Sequence, residues 1–133
     1  TQLKKLTAIT KRRRAIVNYY DEHLAGISGI TLPYEARDVN SNFHLYVIQV
    51  HDSLRIDRYD LFKKMENMNY RPMVHYIPLH FLSYYRDRLG YQRGDFPNAE
   101  DYYRRCISIP LYPSMTDVQV EKVVEDLQIC FSS

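Results

Sequence analysis

Apolar residues recur every three to four positions along the start of the chain, apart from one gap that Arg13 fills. The residues of this stripe are Leu3, Leu6, Ile9, Ile16, Tyr20, Leu24 and Ile27. The spacing predicts an amphipathic helix over residues 2–25, which Gly26 is well placed to end. We expect residues 1–26 to form a long connecting helix, as suits a chain that begins at a junction with a further domain.

Three later segments are predicted to be strands. Residues 43–50 are aromatic and β-branched and apolar on both faces over most of their length, which indicates a buried strand. Residues 73–77 should be extended because a proline follows them, and the residue before a proline disfavours helix. Residues 107–109 are a short apolar run that Pro110 closes. The stretch 29–42 is polar and contains a proline, so it is predicted to be a loop.

Four more helices are predicted between and after these strands. Asp57 can cap the first of them. The second covers residues 79–89, and the third covers residues 97–105 with a proline in its first turn. Thr116 and Gln119 have the spacing of a capping box, in which each side chain binds the other's backbone N–H, so the last helix should begin there.

These elements fit one domain over residues 1–133. Their order is helix, strand, helix, strand, two helices, strand, helix. It predicts an α+β fold in which three short strands form a largely antiparallel or mixed sheet covered by helices.

The charge is unevenly distributed along the chain. The net charge is only +2, yet the first 20 residues hold six basic side chains and no acidic one. A solvated helix face would explain this asymmetry. A nucleic-acid-binding module would explain it too, if residues 11–14 lie beside exposed rings of residues 43–46. A stand-alone regulatory or oligomerisation module is a third alternative.

The cysteines and the hydropathy indicate a cytoplasmic protein. Cys106 and Cys130 follow no metal or redox spacing, so two reduced thiols are predicted. No apolar run approaches the roughly 18 residues that a membrane span needs, and no apolar signal segment follows the basic N-terminus. We therefore expect neither a disulfide nor a membrane segment.

Metal and nucleophilic chemistry have no local signature. His75 and His80 are five positions apart, His44 and His51 are seven apart, and neither pair matches a zinc spacing. The chain has only four glycines and no phosphate-binding loop. All six lysines fall on predicted polar helix faces, where a solvated amine is expected rather than a Schiff base.

The densest group of polar side chains surrounds Pro78 and contains His75, Tyr76 and His80. Two imidazoles and a phenol at a turn fixed by proline can bind a phosphate, although half-buried polar groups without a ligand would give the same pattern. If residues 73–77 are extended, His75 and Ile77 share one face and Tyr76 points to the other.

Five segments of the chain resemble a known family in their order and approximate spacing. They are RRRAIVNYYDEHL, NFHLYVIQV, VHYIPLH, FPNAEDYY and ISIPLYPSMTDVQVEKVVEDL. From about residue 3 to residue 131 the chain is similar to the C-terminus of the DegT/DnrJ/EryC1/StrS aminotransferases, and HYIPLH followed by SIPLYPSMTD is the specific combination. VHYIPLH and AEDYY resemble the UDP-4-amino-4,6-dideoxy-N-acetyl-altrosamine transaminase subgroup.

This resemblance implies the small C-terminal domain of a fold-type-I aminotransferase, which uses pyridoxal phosphate to convert a nucleotide-linked keto sugar into an amino sugar. The family's cofactor-binding lysine, pyridine-pairing acid and phosphate loop lie in a larger N-terminal domain that this sequence does not match. The chain alone is therefore expected to be inactive and to hold no catalytic or cofactor-binding residue. The resemblance also implies a homodimer, and it carries substrate contacts near the diphosphate over to His75, Tyr76, His80 and His44.

The sequence departs from the commonest family pattern at residues 68–72, where many members have a glycine-containing turn. Asn69 tolerates a left-handed backbone, so we expect the bend to survive there. Thr1 in place of a methionine favours a fragment or a processed chain. A lobe separated from its partner domain should also expose apolar surface, including Leu3 and Leu6.

Overall fold

The computed structural model describes residues 2–132, and the elements follow the predicted α+β order with two changes in the strands. The elements are the helices α1 (Leu6–Leu24), α2 (Arg58–Asn67), α3 (Ser83–Leu89), α4 (Pro97–Arg105) and α5 (Asp117–Ser132), the strands β1 (Ile30–Thr31), β2 (Tyr46–Val50) and β3 (Cys106–Ile109), and 3-10 helices at Gln2–Lys5 and Leu79–Phe81.

Local capping chemistry fixes where three of these helices begin. The Asp57 carboxylate accepts the Asp60 backbone N–H at 2.8 Å, so the predicted cap of α2 is confirmed. The capping box of α5 is confirmed as well, because Gln119 Oε1 accepts the Thr116 N–H at 2.9 Å and Thr116 Oγ1 accepts the Gln119 N–H at 3.2 Å. Pro97 occupies the first turn of α4, where its missing N–H costs nothing.

The single helix predicted over residues 79–89 is divided in two. Leu82 is extended between the 3-10 helix and α3, with φ −72° and ψ 138°, and this conformation interrupts the helical ladder. Gly90 then ends α3 in the left-handed region at φ 74°, which glycine reaches without steric cost.

The sheet has three antiparallel strands in the order β1–β2–β3. Strand β2 is central, with Ile30 opposite Val50 on one side and Tyr46 opposite Ile109 on the other. Its burial alternates along the strand, so the prediction of a buried strand holds only in part, because one face is buried and the other is half-buried.

The prediction of a strand over residues 73–77 is wrong. Only Met73 pairs, through an isolated antiparallel bridge to Ser108 on the outer edge of β3. The first strand, β1, instead lies inside the stretch predicted to be a loop. Gly29 adopts φ 90° there, and its carbonyl accepts the His51 N–H at 2.9 Å, which brings the chain alongside β2.

Strand β2 begins three residues later than predicted because the segment before it is held by α1. Phe43 has a left-handed backbone at φ 45°, and its N–H binds the Ser41 hydroxyl. Arg14 of α1 pairs with Glu35 at 2.9 Å and also donates to the Ser41 carbonyl. The Arg14 guanidinium lies 5.2 Å from the centre of the Phe43 ring, so the loop is tied down before the strand starts.

The core lies between the sheet and the facing helices α1 and α5. Tyr20 and Leu24 of α1 are fully buried, as are Tyr46 and Ile48 of β2. From α5 the buried residues include those of the predicted stripe, namely Val120, Val123, Val124 and Leu127. Leu3 and Leu6 are exposed, as expected. Within residues 2–132 no helix is long and apolar enough to cross a membrane.

Candidate functional site

A cleft of about 560 Å³ opens beside the end of β3, next to the turn that follows α2 and the start of α5. Its basic lining residues are His44, Arg71, His75 and Lys122, and no carboxylate of residues 2–132 lines it. Three of the chain's four methionines and two tyrosines form much of its apolar wall, namely Met68, Met73, Met115, Tyr70 and Tyr112. The cleft therefore joins positive charge to an adaptable apolar surface.

His75 is held in the cleft by the sheet edge. The backbones of Met73 and Ser108 exchange two hydrogen bonds, at 3.2 Å and 2.7 Å, and fix the segment two residues before His75. The His75 Nδ1 atom then lies 2.7 Å from the Ser108 hydroxyl. A hydroxyl can donate or accept, so this contact suits either tautomer and leaves Nε2 for a ligand.

Arg71 and His44 approach the cleft from two different turns. Asn69 adopts φ 64°, which confirms the left-handed bend expected there, and Arg71 follows it with an exposed side chain. Within residues 2–132 the Arg71 guanidinium makes no hydrogen bond or ion pair with another side chain or the backbone. His44 is exposed just before β2, so two histidines 31 positions apart in sequence share one cleft.

A hydrogen-bonded group fixes two more of the lining residues, Tyr70 and Lys122. The Tyr70 hydroxyl donates to Asp126 at 2.6 Å, and the Lys122 ammonium lies 3.2 Å from the same carboxylate. Burial, followed by this contact with Asp126, raises the pKa of Tyr70 well above its usual range, so the phenol remains a neutral donor. Asp126 is buried whereas Lys122 is largely exposed, so the ammonium reaches solvent beside the cleft.

Tyr76 and Ile77 lie outside the cleft. Tyr76 is 73% exposed, and its ring packs edge-on against His75 with 4.6 Å between ring centres. Ile77 is also exposed and, unlike His75, does not line the cleft, so the expected placement of the two side chains on one face is not observed. The reason is that pairing with the sheet stops at Met73, and no ladder imposes alternation on the residues after it.

His80 is buried in a separate place. Its Nε2 atom lies 2.8 Å from Glu100 Oε1, and its ring is 4.8 Å from that of Phe96. Burial alone would raise the pKa of the Glu100 carboxyl, but hydrogen bonds from His80 and from the backbone of Gly94 and Phe96 lower it below its usual value. In this chain His80 therefore fastens the segment before α4 and does not line the cleft with His75.

The geometry that a nucleic-acid surface would need is not observed in the predicted place. The Tyr46 ring is fully buried, and its hydroxyl binds Asp21 at 2.6 Å. Arg12 pairs with Asp117 at 2.8 Å and Arg14 pairs with Glu35, so both charges are already offset. Two of the four basic side chains of residues 11–14 thus join α1 to its neighbours.

Sequence reasoning found His44 and His75 but missed Arg71 and Lys122. No local signal marks either residue, because each is an ordinary polar residue on a turn or a helix. They become candidates only when the fold brings residues 68–73, 108–115 and 119–123 together around one cleft. Among the described residues no group of three His, Cys, Asp or Glu side chains could hold a metal ion.

The chain is similar to known proteins over almost its whole length. A sequence model of the DegT/DnrJ/EryC1/StrS aminotransferase family matches residues 1–128. The chain is 39% identical over 126 residues to the spore coat polysaccharide biosynthesis protein SpsC of Bacillus subtilis, covering 93% of this chain and 32% of SpsC. It is 31% identical over 128 residues to the dTDP-4-dehydro-2,3,6-trideoxy-D-glucose 4-aminotransferase of Saccharopolyspora spinosa, covering 96% of this chain and 31% of that protein.

A solved structure of a putative sugar aminotransferase is also similar to this chain. Spr1654 from Streptococcus pneumoniae in its PLP form superposes with a TM-score of 0.89 and 27% identity, covering 98% of this chain and 33% of that one. The chain thus spans about a third of the length of the proteins it matches.

Proposed function

Because the chain belongs to the DegT/DnrJ/EryC1/StrS aminotransferase family, we propose that it is the C-terminal lobe of a sugar nucleotide aminotransferase. The observation that carries the proposal is the family match over residues 1–128, which includes the segments that form the cleft. The relative from Saccharopolyspora spinosa is named for amination of a dTDP-linked keto sugar, which supports a nucleotide-linked keto sugar as the substrate class. The altrosamine subgroup stays a prediction.

Pyridoxal phosphate is the cofactor that the family implies for the full enzyme, and we propose that this lobe does not itself hold it. A Schiff-base lysine must be desolvated to be reactive near neutral pH. Lys63 pairs with Glu66 at 2.9 Å on the surface, and Lys122 is 64% exposed beside Asp126. We therefore propose that the cofactor is held by a preceding domain of a longer protein, which supplies the amino-transfer chemistry. This lobe alone is then inactive, and it works in a cytoplasmic homodimer.

The role proposed for this lobe is to bind and orient the substrate. His75 presents an imidazole whose other nitrogen is fixed by Ser108, so its free nitrogen can meet an anionic or hydroxyl group in one direction. His44 contributes a second imidazole to the same cleft. Tyr76 offers an exposed phenol beside the His75 ring. A substrate contact by His80 stays a prediction, since here its imidazole is bound to Glu100.

Replacing His75 by alanine in the longer protein tests this role. We expect the KM for the sugar nucleotide to rise about tenfold or more, since a hydrogen bond to a charged group contributes about 1.5–3 kcal/mol. The absorbance of the bound cofactor should stay unchanged, because His75 does not hold it. His23→Ala is the matched control, since His23 is an exposed histidine on α1 outside the cleft. Loss of the cofactor band in His75→Ala, or an unchanged KM, would refute the proposal.

A further inference from the structure

The cleft is lined by two permanently charged cations, Arg71 and Lys122, that the substrate-contacting histidines do not explain. Arg71 carries a permanent positive charge, and within residues 2–132 nothing offsets it. Lys122 stands beside the same cleft, and its partner Asp126 also accepts the Tyr70 hydroxyl, so one carboxylate serves two donors. No carboxylate of residues 2–132 lines the cleft itself, and Asp126, the partner of Lys122, is buried and also bound to Tyr70, so an anion in the cleft would meet net attraction.

The rest of the cleft suits a flat apolar group. Met68, Met73 and Met115 line it together with Tyr112, whose side chain is 45% exposed. Methionine side chains adapt their shape and make favourable sulfur contacts with aromatic rings. A volume of about 560 Å³ lies within the range of small-molecule sites, which is about 300–1,000 Å³.

A nucleoside diphosphate has both parts in one molecule, an anionic group and a planar base. We infer that Arg71 and Lys122 bind the phosphate groups of such a ligand while its base lies on the methionine wall. This inference rests on the proposed function, since the ligand is the nucleotide part of the proposed substrate. It adds two phosphate-binding residues that neither the sequence pattern nor the family resemblance indicates.

Titration calorimetry of the chain with UDP and with dTDP tests the inference, and uridine and inorganic diphosphate serve as partial ligands. We expect the nucleoside diphosphates to bind more tightly than either partial ligand, and binding should weaken as salt rises because an exposed ion contact is screened. Arg71→Gln and Lys122→Gln should each weaken UDP binding about tenfold, which corresponds to about 1.4 kcal/mol. Asp126→Asn should strengthen it, because the Lys122 charge is then no longer offset.

Two matched controls remove the same charges elsewhere. Arg37→Gln changes an exposed arginine outside the cleft, and Lys63→Gln changes an exposed lysine that also pairs with an acid on its own helix. Both should bind UDP like the unmodified chain. The inference is overturned if the Arg71 and Lys122 variants bind UDP as tightly as these controls, or if the unmodified chain binds UDP no better than uridine.

A second measurement separates this inference from the proposed function. Aminotransferase activity is followed in the longer protein with a nucleotide-linked keto sugar and an amino donor. Charge-dependent UDP binding without any transamination would refute the proposed function and leave the cation site standing. Transamination that the Arg71 and Lys122 variants retain with an unchanged KM would refute the cation site alone.

Discussion

Two fully buried tyrosines provide a controlled comparison of hydrogen bonds to a charged and to a neutral acceptor. Tyr46 donates its hydroxyl to the Asp21 carboxylate at 2.6 Å, whereas Tyr20 donates to the Pro110 carbonyl at 2.8 Å. Both side chains have 0% exposure, and their rings pack edge-on with 5.1 Å between centres. Replacement of either tyrosine by phenylalanine removes one hydroxyl and keeps the ring. The two replacements therefore differ mainly in the acceptor that loses its hydrogen bond.

The expected costs differ because the acceptors differ. Hydrogen bonds to charged groups contribute about 1.5–3 kcal/mol, and neutral ones about 0.5–1.5 kcal/mol. Tyr46→Phe should therefore lower the free energy of unfolding by about 2 kcal/mol, and Tyr20→Phe by about 1 kcal/mol. Burial, followed by the bond to Asp21, raises the pKa of Tyr46 beyond the range of ordinary titration, so its phenol is a donor throughout that range.

Urea unfolding at neutral pH, followed by circular dichroism, measures both costs. The slope of the free energy against urea must stay the same among variants, since a changed slope would signal a different unfolded state. Tyr34→Phe is the control, because this tyrosine is 88% exposed and its hydroxyl should contribute nothing measurable. The reasoning is refuted if Tyr20→Phe costs as much as Tyr46→Phe, or if Asp21→Asn leaves the cost of Tyr46→Phe unchanged in a double-mutant cycle.

Two further predictions concern the segments that flank β1. A hydrogen bond from Arg14 and a second one from the Ser41 N–H lower the pKa of Glu35 below its usual 4.5. The ionised carboxylate therefore stabilises the fold above pH 4.5, and this stabilisation is lost as the pH falls through the pKa of the folded state. Urea unfolding from about pH 5 to about pH 3 should therefore show a smaller loss of stability for Glu35→Gln than for the unmodified chain, and equal losses would contradict it. A Cβ on Gly29, at φ 90°, would lie 2.6 Å from Leu54 Cγ, whereas one on Gly26 meets no atom within 4 Å. Thermal unfolding should show Gly29→Ala costing more than about 1 kcal/mol and Gly26→Ala within about 0.5 kcal/mol, and similar costs would count against the conformational argument.

Features that depend on neighbours in sequence were predictable. The Asp57 cap, the capping box at Thr116 and the left-handed bend at Asn69 each use contacts within a few residues, and each was confirmed. Strand β1 was not predictable, because two residues are too few for a pattern and its pairing depends on the turn at Gly29. The error over residues 73–77 has the same origin, since apolar character and a following proline indicate an extended chain but not a partner for it.

The site was predictable only as a set of residue types. His75 was chosen for its chemistry and His44 from the family resemblance, and the fold places both in one cleft. Local reasoning grouped His80 with His75, yet the fold moves its ring away to a carboxylate 20 positions later. In the sequence Arg71 is an ordinary turn residue. It became a candidate only because the fold places it in a cleft that no carboxylate of residues 2–132 lines.

The packing of α1 against α5 has a consequence for how the chain reaches its fold. These two helices share the core, and contacts such as the Gln128 amide with the His23 carbonyl and Arg12 with the Met115 carbonyl span 105 and 103 positions. During synthesis on a ribosome, α1 can meet β2 once residues 46–50 have emerged, but the part of its face that packs on α5 stays uncovered until residues 117–132 follow. Contacts of such long range slow folding, so this part of α1 is open to premature association during that interval.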